Sequence, residues 1–376
     1  GLEEYLQSEL RSLGVHEARR GDRAVTFEAT PRLFYEVILR SRLAIRVLRK
    51  LHSFNAGSRE ELYRGVHALP LEQLITPADT FSIRPQSHSS LFRNAKFASQ
   101  VVKDAIVDRQ RARTRKRSSI DTRHPALQLQ LRILGRDVEL LLDASPDPLS
   151  KRGYRRSGGV APMNEVLAAG LLEIAGWDGD EPLLDPFCGS GTLLAEAAIK
   201  SLGLAPNARR EVWTHRRWPD HREEAWRQAV AEATESKHGA GEGLSSLVGV
   251  DIDGSQLAAA RGNLRRLGVE SLVTLREGDI LEQRPRELGI SSESPATVIT
   301  NIPYGARLGV GEGSDEDIRR LYREFGDWLK QSEGVRDAWV LTGNLSESRS
   351  FGLRSSARIE LFNGPIECRL LHFELY

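Results

Sequence analysis

From residue 162 onward the chain alternates short apolar runs with amphipathic stretches, and this alternation limits the fold more than any other feature. Strands are expected at 183–185, 247–252, 273–279, 297–300 and 338–341, with helices over 193–200, 255–267 and 317–330. A strand–helix–strand order requires right-handed crossovers and gives an α/β fold with a parallel, doubly wound sheet. The end of the chain breaks the rule. Residues 357–362 and 367–375 read as strands joined by Asn363-Gly364-Pro365. Asn-Gly is a strong hairpin signal, so the sheet is expected to finish with a C-terminal antiparallel hairpin.

The first strand–helix junction carries Asp185-Pro186-Phe187-Cys188-Gly189-Ser190-Gly191-Thr192. Glycines there let the backbone approach a ligand, and the following helix offers free N–H groups. A dinucleotide turn needs a third glycine, but that place holds Leu194, which argues against a dehydrogenase. An acid before the turn repels a pyrophosphate and suits a cationic ligand, such as the ammonium of S-adenosyl-L-methionine. Two further strand ends carry acids. Asp251, followed by Ile252, is placed to accept ribose hydroxyls, and Asp279, followed by Ile280, to accept from an adenine amine. Asp at a strand end is a common turn residue, but three on successive strands favour the cofactor reading. Cys188, among glycines, reads as a small residue and not as a nucleophile.

The fourth strand ends in Thr300-Asn301-Ile302-Pro303-Tyr304-Gly305. An exocyclic amine conjugated to a base is a poor nucleophile. The Asn301 side-chain oxygen and the Ile302 carbonyl can hold its hydrogens and aim its lone pair, an effect of positioning. Pro303 fixes that carbonyl's direction, and Tyr304 offers a ring for a flipped base.

The N-terminal half mixes helices and strands. Helices are expected over 3–13, 31–51 and 92–111, and strands over 23–29, 127–133 and 138–144. Residues 1–160 hold 29 Lys and Arg against 18 Asp and Glu, while the remainder holds 24 against 34, so the basic half is the one to face a polyanion. Lys103, Arg109, Arg111, Arg113, Arg115, Lys116 and Arg117 form the densest strip and are the expected phosphate contacts. Residues 151–159 make a basic junction. Residues 203–246, bearing Trp213, Trp218 and Trp226, read as an insertion whose tryptophans are either core or stacking groups.

Two cysteines, Cys188 and Cys368, exclude a disulfide scaffold and a four-cysteine zinc site, and the histidines show no ligand spacing, so no metal is expected. No apolar run reaches the roughly 20 residues a membrane helix needs, so no membrane partner is expected. Gly1-Leu2-Glu3-Glu4-Tyr5 reads as the middle of an element and not as a signal peptide, which suggests a truncated N-terminus, and two cysteines far apart in sequence suit a reducing cytoplasm.

Leu184 to Thr192 together with Asn301-x-Pro303-Tyr304-Gly305 resembles the THUMP-domain class I RNA methyltransferases that make N2-methylguanosine. Tyr154-Arg155 with Ala161-Pro162-Met163-Asn164-Glu165 is similar to the family's lead-in helix, and residues 92–109 to the end of a THUMP domain. Residues 363–370 look most like the bacterial branch acting on 23S rRNA. The resemblance implies a ferredoxin-like subdomain (1–50), a THUMP RNA-binding domain (51–150) and a Rossmann-like methyltransferase domain (151–376). It also implies that Asp185, Phe187, Gly189 and Gly191 line the methionine end of the cofactor, Asp251 the ribose, Asp279 and Ile280 the adenine, and Asn301 to Tyr304 the guanine. The family has two prolines after the asparagine. Ile302 replaces the first, and restoring it is expected to be neutral or mildly favourable. The implied function is guanine-N2 methylation of 23S rRNA, with tRNA as the alternative substrate. The rivals are a catalytically weak RNA-binding or ribosome-assembly factor and a DNA adenine-N6 methyltransferase.

Overall fold

The computed structural model describes residues 1–155, 163–235, 246–304 and 315–375. Gly305, Ala161 and Pro162 of the sequence motifs lie outside them, as do parts of the 151–159 junction and the 203–246 insertion. The N-terminal half runs α1 (Glu3–Ser12), β1 (Ala18–Gly21), β2 (Ala24–Phe27), α2 (Pro31–Arg40), β3 (Leu48–Asn55), α3 (Arg59–His67), β4 (Thr80–His88), α4 (Ala95–Thr114), β5 (Ser119–Ile120), β6 (Leu127–Leu134) and β7 (Asp137–Asp143). The C-terminal half runs α5 (Glu165–Ile174), β8 (Leu183–Asp185), α6 (Thr192–Ser201), α7 (Glu223–Thr234), β9 (Leu247–Asp251), α8 (Gly254–Leu267), β10 (Val273–Glu277), β11 (Ala296–Asn301), α9 (Asp315–Gln331), β12 (Val335–Thr342), β13 (Ala357–Asn363) and β14 (Ile366–Glu374).

The C-terminal seven-stranded sheet has the order β10-β9-β8-β11-β12-β14-β13. Its first five strands are mutually parallel, while β14 runs antiparallel to β12 and to β13, so the expected closing hairpin is present. Chain order reverses beside β8: β9 lies on one flank and β11 on the other. In an open α/β sheet the crevice outside the carboxyl ends of such a pair is where ligands bind. Asp185 and Asn301 both end there.

The N-terminal five-stranded sheet has the order β3-β7-β6-β4-β5. Here the sequence reading needs correction. The helix expected over 31–51 stops at Arg40, because Glu9 of α1 captures the next turn: its carboxylate accepts from Ser41 Oγ at 2.6 Å and from the Arg42 N–H at 2.7 Å. Leu48 to Leu51 then join β3, which pairs with β7 and spans the domain boundary expected between residues 50 and 51. The start of α2 follows local rules: Thr30 caps it by accepting from the Leu33 N–H, and Pro31 opens it.

The insertion is a clamp between the halves. Helix α7 packs on α2, the Thr214 N–H donates to the Ala144 carbonyl at 3.1 Å, and Tyr35 Oη meets His221 Nδ1 at 3.0 Å. Trp213, Trp218 and Trp226 are buried in the N-terminal core, which decides the open question of their role in favour of core packing. His215 sits among them, and burial pushes its imidazole down to about 3, so the clamp carries a neutral ring at neutral pH. A second pin is the fully buried pair Arg152–Glu196, in which the guanidinium also donates to the Arg42 carbonyl at 2.6 Å.

Candidate active site

Strand β8 delivers Asp185 into the crevice, where it is buried. Its Oδ1 accepts from Thr300 Oγ1 at 2.6 Å and from the Phe187 N–H at 3.3 Å. Burial raises its carboxyl to about 7, and the charge of Asp251 adds to the rise. A cation placed beside these acids offsets both effects. The glycine turn that follows is held by its neighbours. The Gly189 N–H donates to Asp251 Oδ2 at 2.7 Å, the Cys188 N–H to the Val250 carbonyl at 2.9 Å, and Asn263 Nδ2 of α8 to the Ser190 carbonyl at 2.9 Å. Gly189 and Gly191 have φ of 51° and 75°, the left-handed region that favours glycine. A Cβ at Gly191 would also lie 3.0 Å from the Ala260 Cβ, so this turn is pressed against α8.

Asp251 is half-buried, and burial raises its carboxyl. Each of its oxygens already accepts one backbone N–H, from Gly189 and from Asp253 at 2.9 Å. A carboxylate has about four lone-pair positions, so ribose hydroxyls can still be accepted. Asp253, not singled out by sequence, caps α8 through the Ser255 N–H at 2.8 Å. Asp279 is half-buried and accepts from the Leu281 N–H at 3.0 Å; Ile280 is buried, whereas Ile252 is 73 % exposed. Phe187 packs edge-on against Phe325 of α9, and Pro186 and Thr192 are buried. Cys188 is buried, and burial with the adjacent acids pushes its thiol well up, away from nucleophilic thiolate chemistry.

At the end of β11, Asn301 is buried, and its Oδ1 has no hydrogen-bond partner among the described residues. The turn around it is pinned on three sides. The Ile302 N–H donates to the Leu341 carbonyl of β12 at 3.2 Å, Tyr322 of α9 donates its hydroxyl to the Pro303 carbonyl at 3.4 Å, and Asn363 Nδ2 donates to Tyr304 Oη at 3.2 Å. The Tyr304 ring is buried against Gly343, where a Cβ would come within 2.5 Å of it. The first of these bonds revises one expectation. A proline at 302 would delete the N–H that ties the turn to β12, so Ile302 is a tether here, and fully buried.

Thr300, Tyr322 and Asn363 escaped the sequence reading. Thr300 gave no signal beyond a strand position. Tyr322 needed the packing of α9, and Asn363 was visible only as a turn residue.

The expected phosphate strip divides in two. Arg109 turns inward: Nε and Nη2 donate to Glu72 at 2.7 and 3.1 Å and Nη1 to the His67 carbonyl at 2.7 Å, so it is a structural cation. This bond from Arg109 is the main reason the Glu72 carboxyl falls to about 2. Arg113 also reaches Glu72 at 2.8 Å, Lys103 pairs with Asp104 at 2.6 Å, and Arg111 lies 3.6 Å from Asp108. Arg115, Lys116 and Arg117 are exposed, with Arg115 ending α4 at φ 58°.

Three family descriptions match the chain in order: an RlmL ferredoxin-like domain over residues 1–48, a THUMP domain over 56–143, and an RMKL-like methyltransferase domain over 152–372. A curated relative from Syntrophotalea carbinolica, named ribosomal RNA large subunit methyltransferase K/L, is 36 % identical over 379 residues, covering 100 % of this chain and 52 % of the relative. The chain thus spans about half the length of that relative. A Synechocystis chain named as a candidate RNA methyltransferase is 33 % identical, covering 100 % of this chain and 95 % of its own. The solved structure of SMU.472, a candidate methyltransferase in complex with SAH, has a TM-score of 0.86 at 26 % identity and covers 100 % of this chain and 96 % of that one.

Proposed function

The chain belongs to the RMKL-like methyltransferase family, with THUMP and ferredoxin-like domains ahead of the catalytic one, and from that premise we propose that it methylates the exocyclic N2 of a guanosine in 23S rRNA. The methyl donor is S-adenosyl-L-methionine, and the setting is cytoplasmic. The residues present suit that donor: two carboxylates raised by burial, Asp185 and Asp251, sit beside a turn that two positive-φ glycines open to close approach. Asp185 holds the ammonium, Asp251 the ribose, and Asp279 with Ile280 the adenine. The donor supplies an electrophilic methyl on a sulfonium sulfur. Everything else falls to the protein.

The observation that carries the reading is the orphaned Oδ1 of Asn301. A buried acceptor without a partner costs about 1–3 kcal/mol, and a guanine amine supplies the missing donor. With one amine hydrogen on Asn301 and the other on the Ile302 carbonyl, the nitrogen lone pair is turned toward the methyl group. Asn301 has no basic group, so the proton released after transfer leaves to water. Tyr304 faces the base, its hydroxyl held by Asn363.

The test is transfer of labelled methyl from S-adenosyl-L-methionine to unmodified 23S rRNA, with tRNA and duplex DNA alongside, followed by nucleoside analysis. N2-methylguanosine in rRNA is the expected product. Label in N6-methyladenine of DNA, or in tRNA alone, would replace the reading.

A further inference from the structure

The hairpin that closes the C-terminal sheet sets an apolar side chain beside the target turn, and the methyl transfer itself gives that side chain no role. Register fixes where the hairpin tip lies. Asn301 pairs with Leu341, and Thr342 with Arg369, so β14 begins beyond the carboxyl end of β12, on the side of the crevice. Asn363 and Ile366 are cross-strand partners across the two-residue turn Gly364-Pro365 and share one face of the hairpin. Asn363 sends its side chain to the Tyr304 hydroxyl, so that face looks onto the target turn. Ile366 stands on it too. A Cβ at Gly343 would lie 2.5 Å from the Tyr304 ring and 3.1 Å from Ile366 Cγ2, so both side chains close over the same glycine. Yet Ile366 is 37 % exposed, as is Leu345, two residues past that glycine. The tip is stiff: Gly364 takes a φ of 62°, and the ring of Pro365 fixes the next one. The loop after β12 is braced as well, with Asn344 Oδ1 accepting from the Glu347 N–H at 3.1 Å.

A single exposed apolar residue is ordinary. This one is held on a rigid tip, on the face that also holds the ring proposed to meet the target base. We propose that Ile366 is an apolar wedge, which takes the place of the target guanosine in its stack and covers the base next to it. The inference rests on the guanosine reading above. Asn301 is buried, so a paired guanosine brings its amine there only after leaving the helix. That step strips one face of the neighbouring base and exposes it to water. An aliphatic side chain can cover such a face, and apolar side chains set between base steps are a general means of holding nucleic acid unstacked. The wedge therefore acts on a target that has to be unstacked. A guanosine that is already unpaired and splayed out gains little from it, so Ile366 sets how well a paired target competes with an unpaired one.

The test is methyl transfer by the full chain to two forms of one 23S rRNA segment that the wild type labels. In one the accepted guanosine is paired in a stem, and in the other it is unpaired. A parallel titration replaces that guanosine by a fluorescent aminopurine, which keeps the exocyclic amine and brightens when it leaves the stack. Ile366→Ser is expected to lower kcat/KM about tenfold on the paired form and about twofold at most on the unpaired one. It should also shrink the fluorescence rise on the paired form, with S-adenosyl-L-homocysteine affinity at the wild-type value. Ile366→Leu, which keeps the apolar bulk, should restore both readouts. Equal loss on the two forms, an undiminished fluorescence rise, or a fall in homocysteine-ligand affinity would overturn the wedge and leave the guanosine reading standing. No label in any rRNA from the wild type would overturn that reading and the wedge with it, so the two failures are distinguishable.

Discussion

The cofactor turn and the target turn sit on adjacent strands, yet they are finished to different degrees. From Asp185 to Gly191, backbone groups are held by Asp251, Val250 and Asn263, and the turn is complete before a ligand arrives. From Asn301 to Tyr304 the surroundings are equally firm, but the central acceptor is left open. Preorganisation by the protein suits a ligand that is the same at every turnover. An open acceptor suits one that must be drawn out of RNA and released again. The two turns share one direct bond, Thr300 Oγ1 to Asp185, so the strand that ends in Asn301 also supports the acid proposed to hold the ammonium.

The largest expected effect lies on the target side. Asn301→Ala should lower the methyl-transfer rate about 100-fold or more, because it removes alignment at the reacting nitrogen. Cofactor affinity should stay near wild type. The Oδ1 that is deleted has no hydrogen-bond partner among the described residues to lose. Wild-type turnover would contradict the assignment of Asn301 as the group that aligns the amine.

On the cofactor side, Asp251→Ala should weaken binding of S-adenosyl-L-homocysteine by about 2 kcal/mol, measured by calorimetry. It loses the proposed ribose contact and also releases the Gly189 N–H. An unchanged affinity removes Asp251 from the site.

A smaller effect comes from pH. Because the Asp185 carboxyl stands at about 7 in the free protein, the form that attracts an ammonium is depleted as pH falls. Affinity for the homocysteine ligand should drop about tenfold between roughly pH 7 and pH 5.5. The stability of the free protein runs the other way. A carboxyl raised above its ordinary 3.8 adds stability that is full below about pH 4 and is lost as pH rises through about 7. Thr300→Val removes a hydrogen bond that holds this carboxyl down, so it should move the binding profile to higher pH, while Thr300→Ser keeps the wild-type profile. A profile unmoved by Thr300→Val would show that the two turns act independently.

The smallest expected effect separates a tether from a stiffener. Ile302→Pro should reduce stability by about 1 kcal/mol in denaturant unfolding, through loss of the bond to Leu341. A stability equal to or above wild type would restore the view of position 302 as merely a loosened proline.

The parallel strands, the hairpin at Asn363-Gly364 and the three strand-end acids could be read in the sequence because each is a local signal: an apolar period, a turn dipeptide, a residue type at a junction. The same holds for Asn301 to Tyr304. The reading failed where a distant group decided a local question. Leu48 to Leu51 continue the helical period of α2, but Glu9 ends that helix and β7 recruits the segment as a strand. Arg109 looks like its exposed neighbours until Glu72 and His67 enclose it. Trp213, Trp218 and Trp226, ambiguous in sequence, are fixed by burial against the N-terminal core.

What the sequence determined by itself was therefore the order of elements and the chemistry at their ends, since period and residue type are carried by neighbours along the chain. Only the tertiary structure decided which polar groups are already satisfied. It joined Thr300 to Asp185 and Asn363 to Tyr304 across strands far apart in sequence, and left Asn301 without a partner among the described residues. A hydrogen bond needs two groups within about 3 Å, and for residues on different strands that distance exists only once the sheet has formed.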